Sequence, residues 1–173
     1  MSFAVWLTGL SGSGKSAIAR ELAHLLHGRG VALSVLESDV LRTQLTPFPR
    51  YDERERDFFY AALLELGAFS VARGVPVIFD ATANRRAYRD AARARIPRFA
   101  EIFVDTPLEI CAARDPKGLY RAAQAGESST LPGLQASYEA PLSPELVLRG
   151  NRGTPQLSAE TIVERLRSLG WVR

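Results

Sequence analysis

The residues best placed to do chemistry stand near the start of the chain. Gly9-Leu10-Ser11-Gly12-Ser13-Gly14-Lys15-Ser16 fits the phosphate-binding pattern G-x-x-x-x-G-K-[ST] and follows the apolar segment Ala4 to Leu7 directly. Glycines at 9, 12 and 14 let the backbone turn tightly and aim its N–H groups inward, an anion nest at the start of a helix. In that setting Lys15 reaches the outer phosphates of a nucleoside triphosphate such as ATP. Ser16 can ligate the accompanying Mg²⁺.

Three further groups suit phosphoryl transfer, which needs an oriented hydroxyl, a proton acceptor and cations around the phosphates. Glu37-Ser38-Asp39-Val40-Leu41-Arg42 supplies two carboxylates and a guanidinium. Asp39 is the candidate general base, with helix capping by Ser38 or Asp39 as the alternative. Asp80-Ala81-Thr82-Ala83-Asn84 brings a second carboxylate suited to Mg²⁺, or else a turn and N-cap. Asp39 and Asp80 join Ser16 as candidate metal ligands, and either Glu37 or Asp80 could assist the metal. Arg114-Asp115-Pro116-Lys117-Gly118-Leu119-Tyr120-Arg121 combines three cations with a Pro/Gly hinge, the makings of a lid that excludes water; an exposed basic loop is the alternative. Arg85, Arg86, Arg89 and Arg93 recur at helical spacing and read as a solvated face more readily than as an anion site.

Elements that could position these groups follow from periodicity. Apolar runs predict strands at Ala4 to Thr8, Val31 to Leu36, Val75 to Phe79, Phe99 to Val104 and Glu145 to Leu148. Helices are predicted from about Lys15 to His27, Glu53 to Arg73 and Asn84 to Arg95, with a last one capped by Ser158 and closed by Gly170. Such β-α alternation implies an α/β fold with a five-stranded parallel sheet flanked by helices on both faces. Ligands of these sheets bind beyond the carboxyl ends of the strands, where Gly9, Glu37, Asp80 and Asp105 all fall.

The bulk properties narrow the partners. At 173 residues the chain predicts one domain, 1–173. Its net charge of +3 comes from basic residues scattered among acidic ones, which argues against nucleic acid and a membrane surface and suits a small anionic substrate. The single cysteine, Cys111, reads as a small core residue, and with no leader-like segment ahead of the phosphate loop the expected setting is cytoplasmic.

Taken together, the motifs resemble those of the adenylyl-sulfate (APS) kinase family over nearly the whole chain. Val5 to Ser16 is similar to that family's opening, and Phe103-Val104-Asp105-Thr106-Pro107-Leu108-Glu109-Ile110-Cys111 to its fourth strand and turn. Arg114 to Tyr120 is similar to its lid, and Tyr138-Glu139 with Pro141 to the stretch closing its substrate loop. The resemblance implies a P-loop kinase fold with a lid at about 114–127, and a reaction in which MgATP phosphorylates the 3′-hydroxyl of APS. It implies that Asp39 serves that hydroxyl, that Arg42 and Arg56 hold the acceptor's anionic groups, that Lys15 and Ser16 hold ATP and magnesium, and that Arg114, Lys117 and Leu119 cover the donor. Relatives of this kind are often homodimers; the sequence has no interface signature of its own.

Departures from the family pattern cluster on the acceptor side. D-G-D is Glu37-Ser38-Asp39, an asparagine falls on Phe59, two arginines fall on Ala61 and Ala62, and I-S-P becomes Thr82-Ala83-Asn84. The phenylalanine that stacks on the acceptor adenine becomes Leu131, with Tyr51 as a candidate opposite face, and Phe59 in place of a polar residue suggests a less hydrated acceptor pocket. Leucine forgoes the ~0.5–1.5 kcal/mol geometric term of aromatic stacking. Two other readings follow: a kinase of this lineage with a different hydroxyl acceptor, another nucleotide or a sugar-like metabolite, and a nucleotide-binding regulatory module without catalysis. Asp39-x-x-Arg42 and Asp80-x-Thr82 also resemble polynucleotide 5′-kinases, but the chain lacks a strand-binding basic stripe. It also lacks an N-K-x-D guanine-reading run.

Overall fold

A computed structural model describes residues 2–46, 50–127 and 130–173. Five parallel strands, β1 (Ala4–Thr8), β2 (Ser34–Glu37), β3 (Val77–Asp80), β4 (Phe99–Asp105) and β5 (Leu146–Arg149), form one sheet in the order β2-β3-β1-β4-β5. The central strand β1 is buried throughout because it has neighbours on both sides and helices on both faces. Between the strands run α1 (Lys15–His27), α2 (Ser38–Leu45), α3 (Glu53–Ala72), α4 (Arg86–Arg95), α5 (Leu108–Arg114) and α6 (Leu119–Gln124); α7 (Pro155–Ser168) closes the chain. The five strands and their parallel arrangement agree with the expectation from sequence.

Alternation along the strands splits the core in two. Val5, Leu7, Ile102 and Val104 face α1 and α7, where Ile18, Leu22, Ile162 and Leu166 complete one cluster. Trp6, Val77, Phe79 and Phe99 face α3 and α4 and meet Phe59, Leu63 and Ala92. Trp6 stacks on Phe79 with centroids 4.4 Å apart. Gly67 of α3 has no side chain because the Phe79 ring occupies the space a Cβ would need.

Several boundaries shift for identifiable reasons. Strand β2 begins at Ser34, not Val31, because the Val31 N–H turns back to the Leu26 carbonyl at 3.0 Å to close α1. Strand β3 begins at Val77 because the Val75 N–H bonds the Ser70 carbonyl at the end of α3; its far end extends to Asp80, which pairs in register with Leu7. Helix α4 starts at Arg86, with Arg85 as its N-cap in place of Asn84. The last helix starts before Ser158: the Thr154 hydroxyl accepts the Leu157 N–H and Pro155 occupies the first turn, where its missing N–H costs nothing. No described helix is long and apolar enough to cross a membrane.

Candidate active site

The phosphate loop owes its shape to close backbone approaches. Gly9, Gly12 and Gly14 have φ of 151°, 76° and 108°. A Cβ on Gly9 would lie 2.5 Å from the Val104 carbonyl oxygen, and one on Gly12 would lie 2.7 Å from that of Cys111. The loop is therefore seated against the end of β4 and against α5. The Thr106 hydroxyl secures it by donating to the Ser13 carbonyl at 2.9 Å. Lys15 Nζ donates to the Gly9 and Leu10 carbonyls at 2.9 and 2.8 Å. Burial pushes its pKa below the ordinary lysine value, with the Asp80 carboxylate as the strongest opposing influence. An arriving phosphate supplies the countercharge this ammonium lacks. The Ser13 hydroxyl, fully buried and without a hydrogen-bond partner, is an orphaned polar group in the same loop. Both features fit a phosphate ligand.

Carboxylates stand at the ends of neighbouring strands. Asp80, the last residue of β3, is 6% exposed and lies close enough to Lys15 to influence its charge. Asp39 is the second residue of α2, whose N-cap is Glu37, so neither Ser38 nor Asp39 holds the capping position. Asp39 instead accepts a hydrogen bond from Lys117 Nζ of the predicted lid. Their side chains are 66% and 46% exposed, so the pair is weak enough to open for a substrate. Among the described residues no group of three or more His, Cys, Asp or Glu could hold a metal by itself. Mg²⁺ characteristically takes one or two carboxylates and completes its shell with phosphate oxygens and water.

The segment after α5 folds over the phosphate loop. Asp115 adopts φ 25°, and its carboxylate caps α6 by accepting the Tyr120 and Arg121 N–H groups, each at 3.1 Å. The Tyr120 hydroxyl donates to the Ser11 carbonyl at 2.8 Å. Beneath it Cys111 is buried with Tyr120, Ala123 and Leu131, as its reading as a core residue predicted, and burial raises its thiol pKa. Arg114 donates to the Gly12 carbonyl at 3.3 Å and to the Gly150 carbonyl at 3.0 Å. It thereby borders a cavity of about 250 Å³ lined also by Ala17, Ile18, Gly150, Thr154 and Pro155.

That cavity exposes residues the sequence analysis passed over. The turn Gly150-Asn151-Arg152-Gly153-Thr154 follows β5 at the carboxyl edge, beside the phosphate loop. A glycine-bracketed turn after the last strand was the available signal, by the same rule that drew attention to the ends of the other strands.

On the opposite flank the structure brings Arg42, Tyr51 and Phe59 together. Arg42 is 8% exposed and bonds Glu55 Oε1 at 2.6 Å. Its guanidinium carbon lies 4.0 Å from the Phe59 ring centroid and 5.1 Å from that of Tyr51. Phe59 is fully buried, and its ring meets the Arg42 guanidinium. Leu131 packs with Cys111 and Tyr120, and Arg56 donates to the Thr130 carbonyl in the same stretch.

The expected solvated arginine face is corrected at Arg89, whereas the Arg85, Arg86 and Arg93 side chains stay 38%, 40% and 37% exposed. Arg89 is 1% exposed, bonds Glu101 at 2.6 Å and donates to the carbonyls of Ala83 and Glu139. Arg93 grips Glu145 through two hydrogen bonds, at 2.6 and 2.8 Å. Helical spacing placed these guanidiniums on one face, but Arg89 turns inward to β4, whose Glu101 supplies a buried partner.

Comparison with known proteins agrees with this architecture. The family model described as adenylylsulphate kinase matches residues 1–149. The adenylyl-sulfate kinase of Rippkaea orientalis is 38% identical over 168 residues, covering 97% of this chain and 93% of the relative. That of Citrobacter koseri is 41% identical over 160 residues, covering 91% and 80%. A solved structure of the Mycobacterium tuberculosis APS kinase CysC, in complex with AMPPNP and APS, superposes with a TM-score of 0.89 at 33% identity, covering 96% and 98%.

Proposed function

Because the chain belongs to the adenylylsulphate kinase family, we infer that it transfers the γ-phosphoryl group of ATP to the 3′-hydroxyl of APS, giving 3′-phospho-APS and ADP. The observation that carries this reading is the meeting of phosphate loop, Asp39 and lid at one sheet edge, with Lys117 reaching from the lid to Asp39. The Asp39 carboxylate accepts the proton of the attacking hydroxyl, whose oxygen bonds to phosphorus as the bond to the ADP oxygen breaks. The N–H groups of residues 9–16 and Lys15 hold the β- and γ-phosphates. Ser16, Asp80 and Asp39 would hold Mg²⁺, which would supply charge neutralisation at the phosphates.

Arg114, Lys117 and Leu119 belong to the lid, residues 114–127, and cover the donor. Its base occupies the cavity bordered by Arg114, Gly150 and Thr154. Arg42 and Arg56 receive the acceptor's anionic groups, with Tyr51 and Leu131 near its base. The chain acts as a single kinase domain in the cytoplasm and pairs as a homodimer.

Coupled ADP release with MgATP, corrected for acceptor-free hydrolysis, tests the assignment across APS, other nucleotides, sugars and small alcohols. Saturable turnover on APS is expected. Turnover on another acceptor without turnover on APS would replace the acceptor and keep the chemistry. ATP binding with no turnover on any acceptor would leave a regulatory module.

A further inference from the structure

An arginine that recognises an anion must present its N–H groups in a fixed plane, and its long side chain loses considerable rotamer entropy when held there. Arg42 is held from three directions. Glu55 Oε1 takes Nη1, while the other carboxylate oxygen accepts the N–H groups of Arg50 and Tyr51, so Glu55 also ties the start of the 50–52 segment to α2. The Phe59 ring covers the guanidinium at 4.0 Å, and Tyr51, whose backbone sits at φ 55°, adds a second ring at 5.1 Å.

Phe59 is itself fixed from behind. It meets Tyr60 edge-on, with centroids 5.5 Å apart and planes at 74°. Tyr60 stacks on Tyr88 at 4.5 Å, and its hydroxyl accepts the Ala83 N–H at 2.9 Å. The ring beneath Arg42 is thereby connected to the segment that follows Asp80 at the sheet edge.

A ring face is an unusual support for a guanidinium because it attracts the charge without using an N–H. A polar side chain at position 59 would accept one of those N–H groups and compete with a ligand for it. Among the described residues, Glu55 is the hydrogen-bond partner of the Arg42 side chain, and it engages Nη1. The remaining in-plane donors, on Nε and Nη2, form the edge that suits two oxygens of a sulfate or phosphate.

The geometry points to Phe59 as a positioning residue that, with Glu55 and Tyr51, holds the Arg42 guanidinium in the plane from which it binds the acceptor's anionic group. This rests on the proposed kinase reading for the identity of the acceptor, whereas the caging of Arg42 does not.

Two measurements on Phe59→Leu and Phe59→Tyr separate these parts. The first is the NMR shift of the Arg42 side-chain protons, assigned by their loss in Arg42→Lys. Ring-current displacement in the wild type, lost in Phe59→Leu and kept in Phe59→Tyr, is expected. Undisplaced resonances in the wild type would overturn the proposal whatever the acceptor is. The second is steady-state kinetics with both substrates varied. Phe59→Leu should raise the KM for APS roughly tenfold, within the range of a desolvated cation–π contact, with kcat and the KM for ATP within about twofold and Phe59→Tyr near wild type. An unchanged KM for APS, or equal shifts in both KM values, would reduce Phe59 to packing and overturn the proposal.

Should Phe59→Leu not fold, Tyr51→Leu decides. A KM for APS raised about threefold, with no further rise in the Arg42→Lys background, supports the cage. An unchanged KM, or an equal rise in both backgrounds, overturns it. Wild-type protein silent on APS would remove the functional assignment instead, and the ring-current shift would then decide on the cage.

Discussion

In the proposed kinase reading, the two flanks of the sheet edge solve the same problem, holding anionic groups, by different means. On the donor flank the groups aimed at phosphate are mostly backbone N–H, shaped by Gly9 and Gly12 pressed against the Val104 and Cys111 carbonyls. On the acceptor flank they are arginine side chains on α2 and α3, steadied by Glu55, Phe59 and the Thr130 carbonyl. A backbone cradle tolerates few changes, because a Cβ added at Gly9 or Gly12 meets another backbone. A side-chain site can be rebuilt one residue at a time, and that is where the departures from the family pattern gather. On that reading the donor flank suits phosphoryl donors of one shape, while the acceptor flank is where discrimination is expected.

The largest expected effect falls where the flanks meet. Asp39→Asn should lower kcat by roughly 10²–10⁴ while leaving both KM values near wild type, because it removes the proton acceptor and keeps the shape. Steady-state kinetics alongside thermal unfolding checks this, and retained activity would return Asp39 to a surface partner of Lys117. Lys15→Ala comes next and belongs to the donor flank alone. It should lower kcat/KM for ATP by roughly 10²–10³, the scale of a lost transition-state donor, with APS binding little changed by calorimetry. Its unfolding temperature should hold or rise, because burial already disfavours the charge on Lys15.

The donor flank was also far more legible in the sequence than the acceptor flank. Glycine spacing reports backbone shape directly, so Gly9 to Ser16 announced both a fold and a ligand. The strands were legible because buried parallel strands are continuous apolar runs, although their ends moved where Val31 and Val75 closed helices instead of joining the sheet. The burial of Arg89 was not legible: helical periodicity places four arginines on one face, but only the position of Glu101 on β4 shows that Arg89 turns inward. Nor was the stacking of Phe59 on Arg42, since a phenylalanine seventeen positions from an arginine carries no local signal and the contact arises from the packing of α2 on α3. The turn after β5 lay between, its glycines visible and its proximity to the phosphate loop not.

The comparison sharpens if a backbone change on the donor flank costs more than removal of a side chain beside it. Gly12→Ala puts a Cβ 2.7 Å from the Cys111 carbonyl at a φ of 76°, both unfavourable, and should cost roughly 1–3 kcal/mol of stability with weakened ATP binding. Denaturant unfolding and nucleotide titration read the two effects separately. A variant as stable as wild type and binding ATP equally would mean that α5 yields easily and that the cradle is not rigid.

The smallest effect is expected at Thr154. Its hydroxyl caps α7 at 3.2 Å from the Leu157 N–H, and the residue also lines the cavity assigned to the donor base. Thr154→Ala should cost about 1 kcal/mol of stability through the lost cap. If the cavity receives the base, the KM for ATP should also rise by a small factor while the KM for APS stays constant. Thr154→Ser restores the cap but not the methyl group, so it should recover stability first and leave whatever the methyl contributes to base packing unrecovered. Equal recovery of both quantities would assign Thr154 to the helix alone, and a shift in the KM for APS would mean that the two flanks are coupled through the sheet edge and not separable as drawn here.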